Sequence, residues 1–189
     1  MAERDPLVVV RHGETEWSAA GRHTGMTDIP LTEAGREGAA ALAPRLGTED
    51  YALVLCSPLI RARETCELAG FEGVAQLCPD LVEWDYGDYD GLTTPQIRER
   101  DPDWDLWRDG CPGGEPPAEV GVRADRVLER FATADGPGLA FAHGHSLRVL
   151  TARWLVMEPA AGARFQLAAA GIGRLGWERE TRVIEQWNA

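Results

Sequence analysis

Apolar residues along this chain gather in short runs separated by amphipathic stretches. The runs are "LVVV" at 7–10, "ALVLC" at 52–56, "VAQLC" at 74–78, "GLAFA" at 138–142 and "IGRLGW" at 172–177. Each is too short for a buried helix and reads as a strand. A sixth strand is predicted at 182–187, "RVIEQW". Helical patterns fall between them. The first is predicted from Thr32 as N-cap to about Leu46, with Pro44 weakening its last turn. The second lies in "SPLIRARETCELAG", with Ser57 as N-cap, Pro58 in the first helical position and Gly70 as the stop. A third is predicted over 118–134 and a fourth from Ser146, "SLRVLTARWLV". Strands alternating with helices predict an α/β fold, a three-layer α/β/α sandwich around a mostly parallel sheet. The last two strands, joined by a short polar link, are expected to pair antiparallel at an edge.

One stretch breaks the alternation. Residues 84–117 are irregular, acidic and rich in aromatics, glycine and proline, and only "TPQIRER" and "DWDLWRD" look helical there. Long excursions of this kind are often functional. Trp84, Tyr86, Tyr89, Trp104 and Trp107 are expected to overhang a site, to form a small satellite core, or both. With 189 residues and no internal repeat, the chain reads as one domain over 1–189 carrying this insert.

Charge and cysteine content narrow the function. The net charge is −12, carried against 19 arginines with no lysine. Such a chain is a poor nucleic-acid binder, and any anion site must use arginine, histidine or backbone N–H groups. Cys56, Cys66, Cys78 and Cys111 form no C-x-x-C pair, so they are expected to be reduced and structural. No export signal or membrane span is visible, which makes a cytoplasmic protein without a membrane partner the expectation.

The chemistry-bearing residues fall where the strands end. Arg11 and His12 close the first strand in "VVVRHG", and His143 closes the fourth in "FAHGHS". Arg61 lies near the start of the helix after the second strand. If these strands are parallel, two arginines and two histidines converge at one sheet edge, beside helix N-termini that favour anions. Arginine forks suit phosphate, and a neutral histidine with one nitrogen held is a nucleophile. A phosphoryl group is the expected guest, with His12 and His143 facing each other across a phosphate-sized gap. His143 and His145 also spell H-x-H, which leaves a metal-dependent hydrolase as an alternative. A third reading is a binding module without catalysis, whose mark would be a lost catalytic residue.

"RHGETEW", "SPLIRARET", "LVEWDYGDYDG" and "AHGHS" follow in the order and spacing of the histidine phosphatase superfamily, the phosphoglycerate mutase-like clan. The chain resembles that family over nearly its whole length, closest in look to its actinobacterial acid phosphatases. The resemblance implies that His12 attacks phosphorus and becomes a phosphohistidine. It implies that Arg11, Arg61 and His143 hold the phosphoryl oxygens, and that Glu83 serves as proton donor and then as base. It implies no metal and no cofactor. Ser18, Thr24, Gly25, Trp84 and Gly144 match substrate-binding positions, beside Arg11, His12, Arg61, Glu83 and His143.

Departures from the pattern help to choose within the family. Thr24–Gly25 resembles the pair that mutases present to substrate. Trp84, however, stands where mutases carry an arginine, Ser18 stands for a frequent asparagine, and Pro116 replaces the serine of a glycine–glutamate–serine segment. The insert also lacks the basic residues of a carboxylate grip. These features favour a phosphatase of small phosphomonoesters, releasing inorganic phosphate, over a cofactor-dependent phosphoglycerate mutase. The acidic insert predicts substrates with an uncharged or aromatic body. His145 reads as a structural or rim residue, and His23, in the loop 14–31, as an exposed residue or one that touches substrate. A homodimer is compatible with the sequence, which does not fix the oligomeric state.

Overall fold

The computed structural model describes residues 5–47 and 50–189. Residues 1–4, part of the N-terminal stretch read as lacking an export signal, lie outside them. The elements run β1 (Leu7–Arg11), α1 (Glu16–Ala19), α2 (Glu33–Ala40), α3 (Ala43–Leu46), β2 (Leu53–Cys56), α4 (Ile60–Leu68) and β3 (Gln76–Leu77). They continue through α5 (Thr94–Arg98), α6 (Leu106–Asp109), α7 (Pro117–Ala132), β4 (Gly138–Ala142), α8 (Gly144–Trp154), β5 (Ile172–Glu178) and β6 (Thr181–Trp187). The six strands form one sheet in the order β3-β2-β4-β1-β5-β6. β1, β2, β3 and β4 are parallel, while β5 and β6 are antiparallel additions at one side.

Period-two alternation explains the three layers. Val8 and Val10 of β1, Val54 and Cys56 of β2, and Leu139 and Phe141 of β4 face the core closed by Leu42, Leu46, Ala62 and Cys66. Leu7 and Val9, Leu55, and Ala140 and Ala142 face the opposite core, where Val120, Val127, Leu147 and Leu150 of α7 and α8 pack. All four cysteines are free and buried within these layers. Among the described residues, no helix is long and apolar enough to cross a membrane.

The register places the site. Arg11 lies opposite Ala142, and Cys56 opposite Phe141, so β1, β2 and β4 end together. His12, Ser57 and His143 are the residues immediately beyond those ends. Gly13 then passes so close to Gly35 that a Cβ on either would strike the other strand of backbone. That contact presses the His12 turn against the start of α2.

Several boundaries differ from the sequence reading, each for a local reason. α4 begins at Ile60, not after Ser57, because the Ser57 N–H continues the sheet by bonding to Phe141 O. Its cap comes from Asp28, whose carboxylate accepts the Ile60 N–H at 2.7 Å. The first helix splits into α2 and α3 around residues 41–42, with Pro44 in the first turn of α3. α8 starts two residues earlier than Ser146, with His143 as N-cap. β3 keeps only two residues, and Val74 and Leu77 are exposed at that edge, 63% and 57%. The insert is mainly core: Trp84, Tyr86, Tyr89, Trp104 and Leu106 are buried in the cluster beneath α7 and α8.

The glycine contact gives a stability test. Gly35→Ala drives a methyl group into the Glu14 backbone and should cost at least roughly 2 kcal/mol. Thermal unfolding of the variant beside the parent measures it. An unchanged midpoint would show that this contact does not constrain the His12 turn.

Candidate active site

The His12 ring is fixed by its own backbone. Nδ1 lies 2.7 Å from Gly13 O. A carbonyl only accepts, so Nδ1 carries the hydrogen and Nε2 keeps its lone pair. Burial, and then Arg11 and Arg61, hold the His12 pKa well below the usual imidazole range, against the opposing bond to Gly13. The ring is therefore a neutral imidazole with a free nitrogen. The Gly13 N–H donates to Thr65 Oγ1 of α4 at 3.0 Å, which anchors the turn from the other side.

His143 is fixed at both nitrogens. Arg61 Nε donates to its Nδ1 at 3.1 Å, and its Nε2 lies 2.7 Å from Ser57 Oγ. Because Nδ1 accepts, Nε2 bears the hydrogen and donates to the serine. Burial lowers its pKa well below normal, and Arg61, His12 and Arg11 act in the same direction. The His12 and His143 ring centroids are 5.2 Å apart, inclined at 59°. This corrects the expectation of a phosphate-wide gap between them: the rings are direct neighbours.

Arg61 is fully buried and most of its donors are spent. Besides His143 it reaches Thr27 O at 3.1 Å, Thr24 O at 3.0 Å and Gly25 O at 2.8 Å. It thus ties the 24–27 loop to the end of β4. Arg11 is different. Its Nη1 donates to Leu167 O at 2.7 Å, while its buried Nε has no partner. Gly144 permits its position, since a Cβ there would lie 3.2 Å from Nε.

Glu83 caps α8 from outside. Its Oε1 accepts the N–H groups of Trp84 and Ser146 at 2.9 and 2.8 Å, and Oε2 accepts that of His145 at 3.0 Å. The carboxylate is thereby drawn from the chain after β3 to the helix that follows His143.

These groups border a cavity of about 400 Å³ whose wall includes Arg11, His12, Ser18, Thr24, Glu83 and Gly144. Arg61, Gly25, Trp84 and His143 stand behind that wall. Trp84 is wholly buried, with Nε1 donating to Glu115 O at 2.8 Å. Gly25 lies against Trp84 and Tyr86, where a Cβ would be 2.9 Å from Trp84 O. The Ser18 hydroxyl is committed to Thr15, donating to its carbonyl and accepting its N–H. His23 is half-buried and not exposed; it borders the cavity, and its ring centroid lies 4.9 Å from that of Tyr86. Among the described residues no cluster of three or more His, Cys, Asp or Glu is arranged to hold a metal. His143 has both nitrogens occupied, and the Nδ1 of His145 lies 2.6 Å from Tyr86 Oη.

The sequence reading missed Ser57 as the His143 partner, and it missed Arg22 and Arg148 as cavity residues. A signal existed for Arg148, which follows His145 by three positions on one helix and so shares its face. Of the five insert aromatics expected to overhang a site, Tyr86 borders the cavity.

With this geometry in view, relatives can be compared. An acid phosphatase of Mycobacterium tuberculosis is 45% identical over 184 residues, covering 94% of this chain and 89% of its own. The solved structure of an open reading frame from the same organism superposes with a TM-score of 0.89 at 43% identity, covering 98% of this chain and 97% of that one. A 2,3-bisphosphoglycerate-dependent phosphoglycerate mutase of Sinorhizobium fredii is 35% identical over 164 residues, 76% of each chain. The family model of the histidine phosphatase superfamily, branch 1, matches residues 7–189, and the chain belongs to that family.

Proposed function

We infer that the protein is a phosphomonoester hydrolase that works through a phosphohistidine at His12. The observation that carries this reading is the Nδ1–Gly13 bond, which leaves Nε2 of a neutral ring unbonded at the cavity. The family match over 7–189 supports treating the chain as one catalytic domain. In the first step Nε2 attacks phosphorus as the ester P–O bond breaks. Arg11, with its unpartnered Nε, binds a phosphoryl oxygen, and the leaving oxygen takes a proton from Glu83. In the second step water attacks phosphorus, Glu83 accepts its proton, the P–N bond breaks and inorganic phosphate leaves. Oε2 of Glu83 accepts only one backbone N–H, which leaves a lone pair for that proton.

Arg61 serves as a positioning residue in this scheme. It fixes the His143 tautomer and adds positive charge beside His12 while sharing out four of its N–H groups. Small phosphomonoesters fit the cavity volume, and mutase chemistry is less favoured because Trp84 is core and offers no grip on a carboxylate. A cytoplasmic setting suits such a substrate class.

Three outcomes test the assignment. His12→Ala should lose at least roughly 10³-fold in kcat, because it removes the nitrogen that attacks phosphorus. Glu83→Gln should slow an alkyl phosphate by about 10²–10⁴-fold and p-nitrophenyl phosphate far less, since nitrophenolate needs little help from an acid. Equal slowing of both esters would remove Glu83 from the acid role. Activity should persist in EDTA, and its abolition with restoration by a divalent cation would favour the metal-dependent alternative.

The pH profile follows from the buried histidines. The charged form of His12 is disfavoured, so the nucleophile stays available as the pH falls below the ordinary imidazole value of 6.5. kcat should therefore hold as the pH falls through 6.5, where an ordinary imidazole nucleophile would be lost to protonation. A kcat that drops with an apparent pKa near 6.5 would contradict a neutral His12.

A further inference from the structure

The chain carries a net charge of −12, yet its cavity is lined with the opposite sign. The wall holds Arg11, Arg22 and Arg148 with three histidines, against one carboxylate, Glu83. No acid of the insert lines that wall, and three of its acids are engaged elsewhere. Asp90 accepts from the backbone of Gly25 and Thr27, Asp85 from Gly87, and Glu115 pairs with Arg123. None of the three borders the cavity.

Arg22 and Arg148 are the wall cations that the phosphoryl chemistry above does not use, and Arg148 is the one on the helix that follows His143. It is held without an acid. Nε donates to Gly162 O at 2.9 Å and Nη2 to Ala163 O at 2.8 Å. The guanidinium also stacks on the Trp107 ring, 4.5 Å from its centroid. Three N–H groups are left, and no carboxylate pairs with it among the described residues. One turn earlier on α8, Tyr86 Oη lies 2.6 Å from His145 Nδ1. Burial keeps the phenol protonated and the imidazole neutral. The phenol therefore donates to Nδ1, and His145 carries its own hydrogen on Nε2. A fixed guanidinium and a fixed N–H donor thus share one helix face and one cavity.

We propose that Arg148 and His145 form a second anion subsite, and that the preferred substrate is a phosphomonoester bearing a further carboxylate or phosphate. The proposal rests on the phosphatase reading for its first site. It reverses the expectation of an uncharged substrate body, because no acid of the insert lines the cavity. Arginine restrained by carbonyls and an aromatic face loses little freedom on binding, and its planar fork suits either anion.

The test compares two ligands that need no turnover. Propylphosphonate and 3-phosphonopropionate differ in ending with a methyl group or a carboxylate. Calorimetry should show the carboxylate form binding the parent protein about 10- to 100-fold more tightly, as for one charge-assisted contact. That ratio should fall to about threefold or less in Arg148→Met. Arg148→Gln, which retains an N–H for Gly162 but no charge, should show the same collapse and serves if the Met variant does not fold. Equal binding by the parent, or a ratio that survives loss of the charge, overturns the subsite. Hydrolysis assays run in parallel separate the two claims. A preserved ratio without hydrolysis of any ester sinks the phosphatase reading alone, and hydrolysis with a ratio near one sinks the subsite alone.

Discussion

Arg11 carries a charge into a largely enclosed position where no carboxylate forms an ion pair with it among the described residues. One nitrogen reaches Leu167 O and another is buried unbonded. Unpaired buried cations are costly, so the surrounding structure must hold the position against that cost. It does so with backbone. Gly144 lets the guanidinium lie against the start of α8, and β1 is clamped between β4 and β5. Burial keeps His12 and His143 neutral, and the Arg11 charge acts in the same direction together with Arg61. On the proposed function, an arriving phosphoryl group would supply the missing counter-ion.

The polar groups around this charge are held by links between distant segments. Asp28 caps α4 from a loop, and Glu83 caps α8 from the chain after β3. Arg61 joins α4, the 24–27 loop and His143 in one set of bonds. Each link uses a group whose chemistry is local and whose partner is far away in sequence. The consequence is stiffness at His12 and His143, whose tautomers are both dictated by fixed acceptors or donors. Preorganised donors of this kind are what phosphoryl transfer requires.

Much of this was legible in the chain because β strands and their ends obey simple rules. "LVVV" running into Arg11 and His12 shows both a core strand and the polar pair beyond it, and parallel pairing brings His143 alongside. Ser57 shows the limit. Its local context reads as a helix cap, but the sheet continues through its N–H and its hydroxyl turns to His143. The insert shows another. Its composition suggests an acidic lid, whereas packing buries Trp84 and Trp104, turns Asp90 onto backbone N–H groups and Glu115 onto Arg123, and leaves no insert acid on the cavity wall. Composition reports how many charges a segment has and nothing about which way they face.

The account stands or falls on which nitrogen of His12 becomes phosphorylated. With Nδ1 donating to Gly13 O, only Nε2 is free. Rapid quench of turnover into alkali preserves phosphohistidine, and phosphorus NMR of the denatured phosphoprotein distinguishes its two isomers. The account predicts a single acid-labile signal from the Nε2 isomer, mapped by peptide mass spectrometry to His12 and absent in His12→Ala. Phosphate on Nδ1, on another residue, or on no residue while turnover proceeds would contradict it.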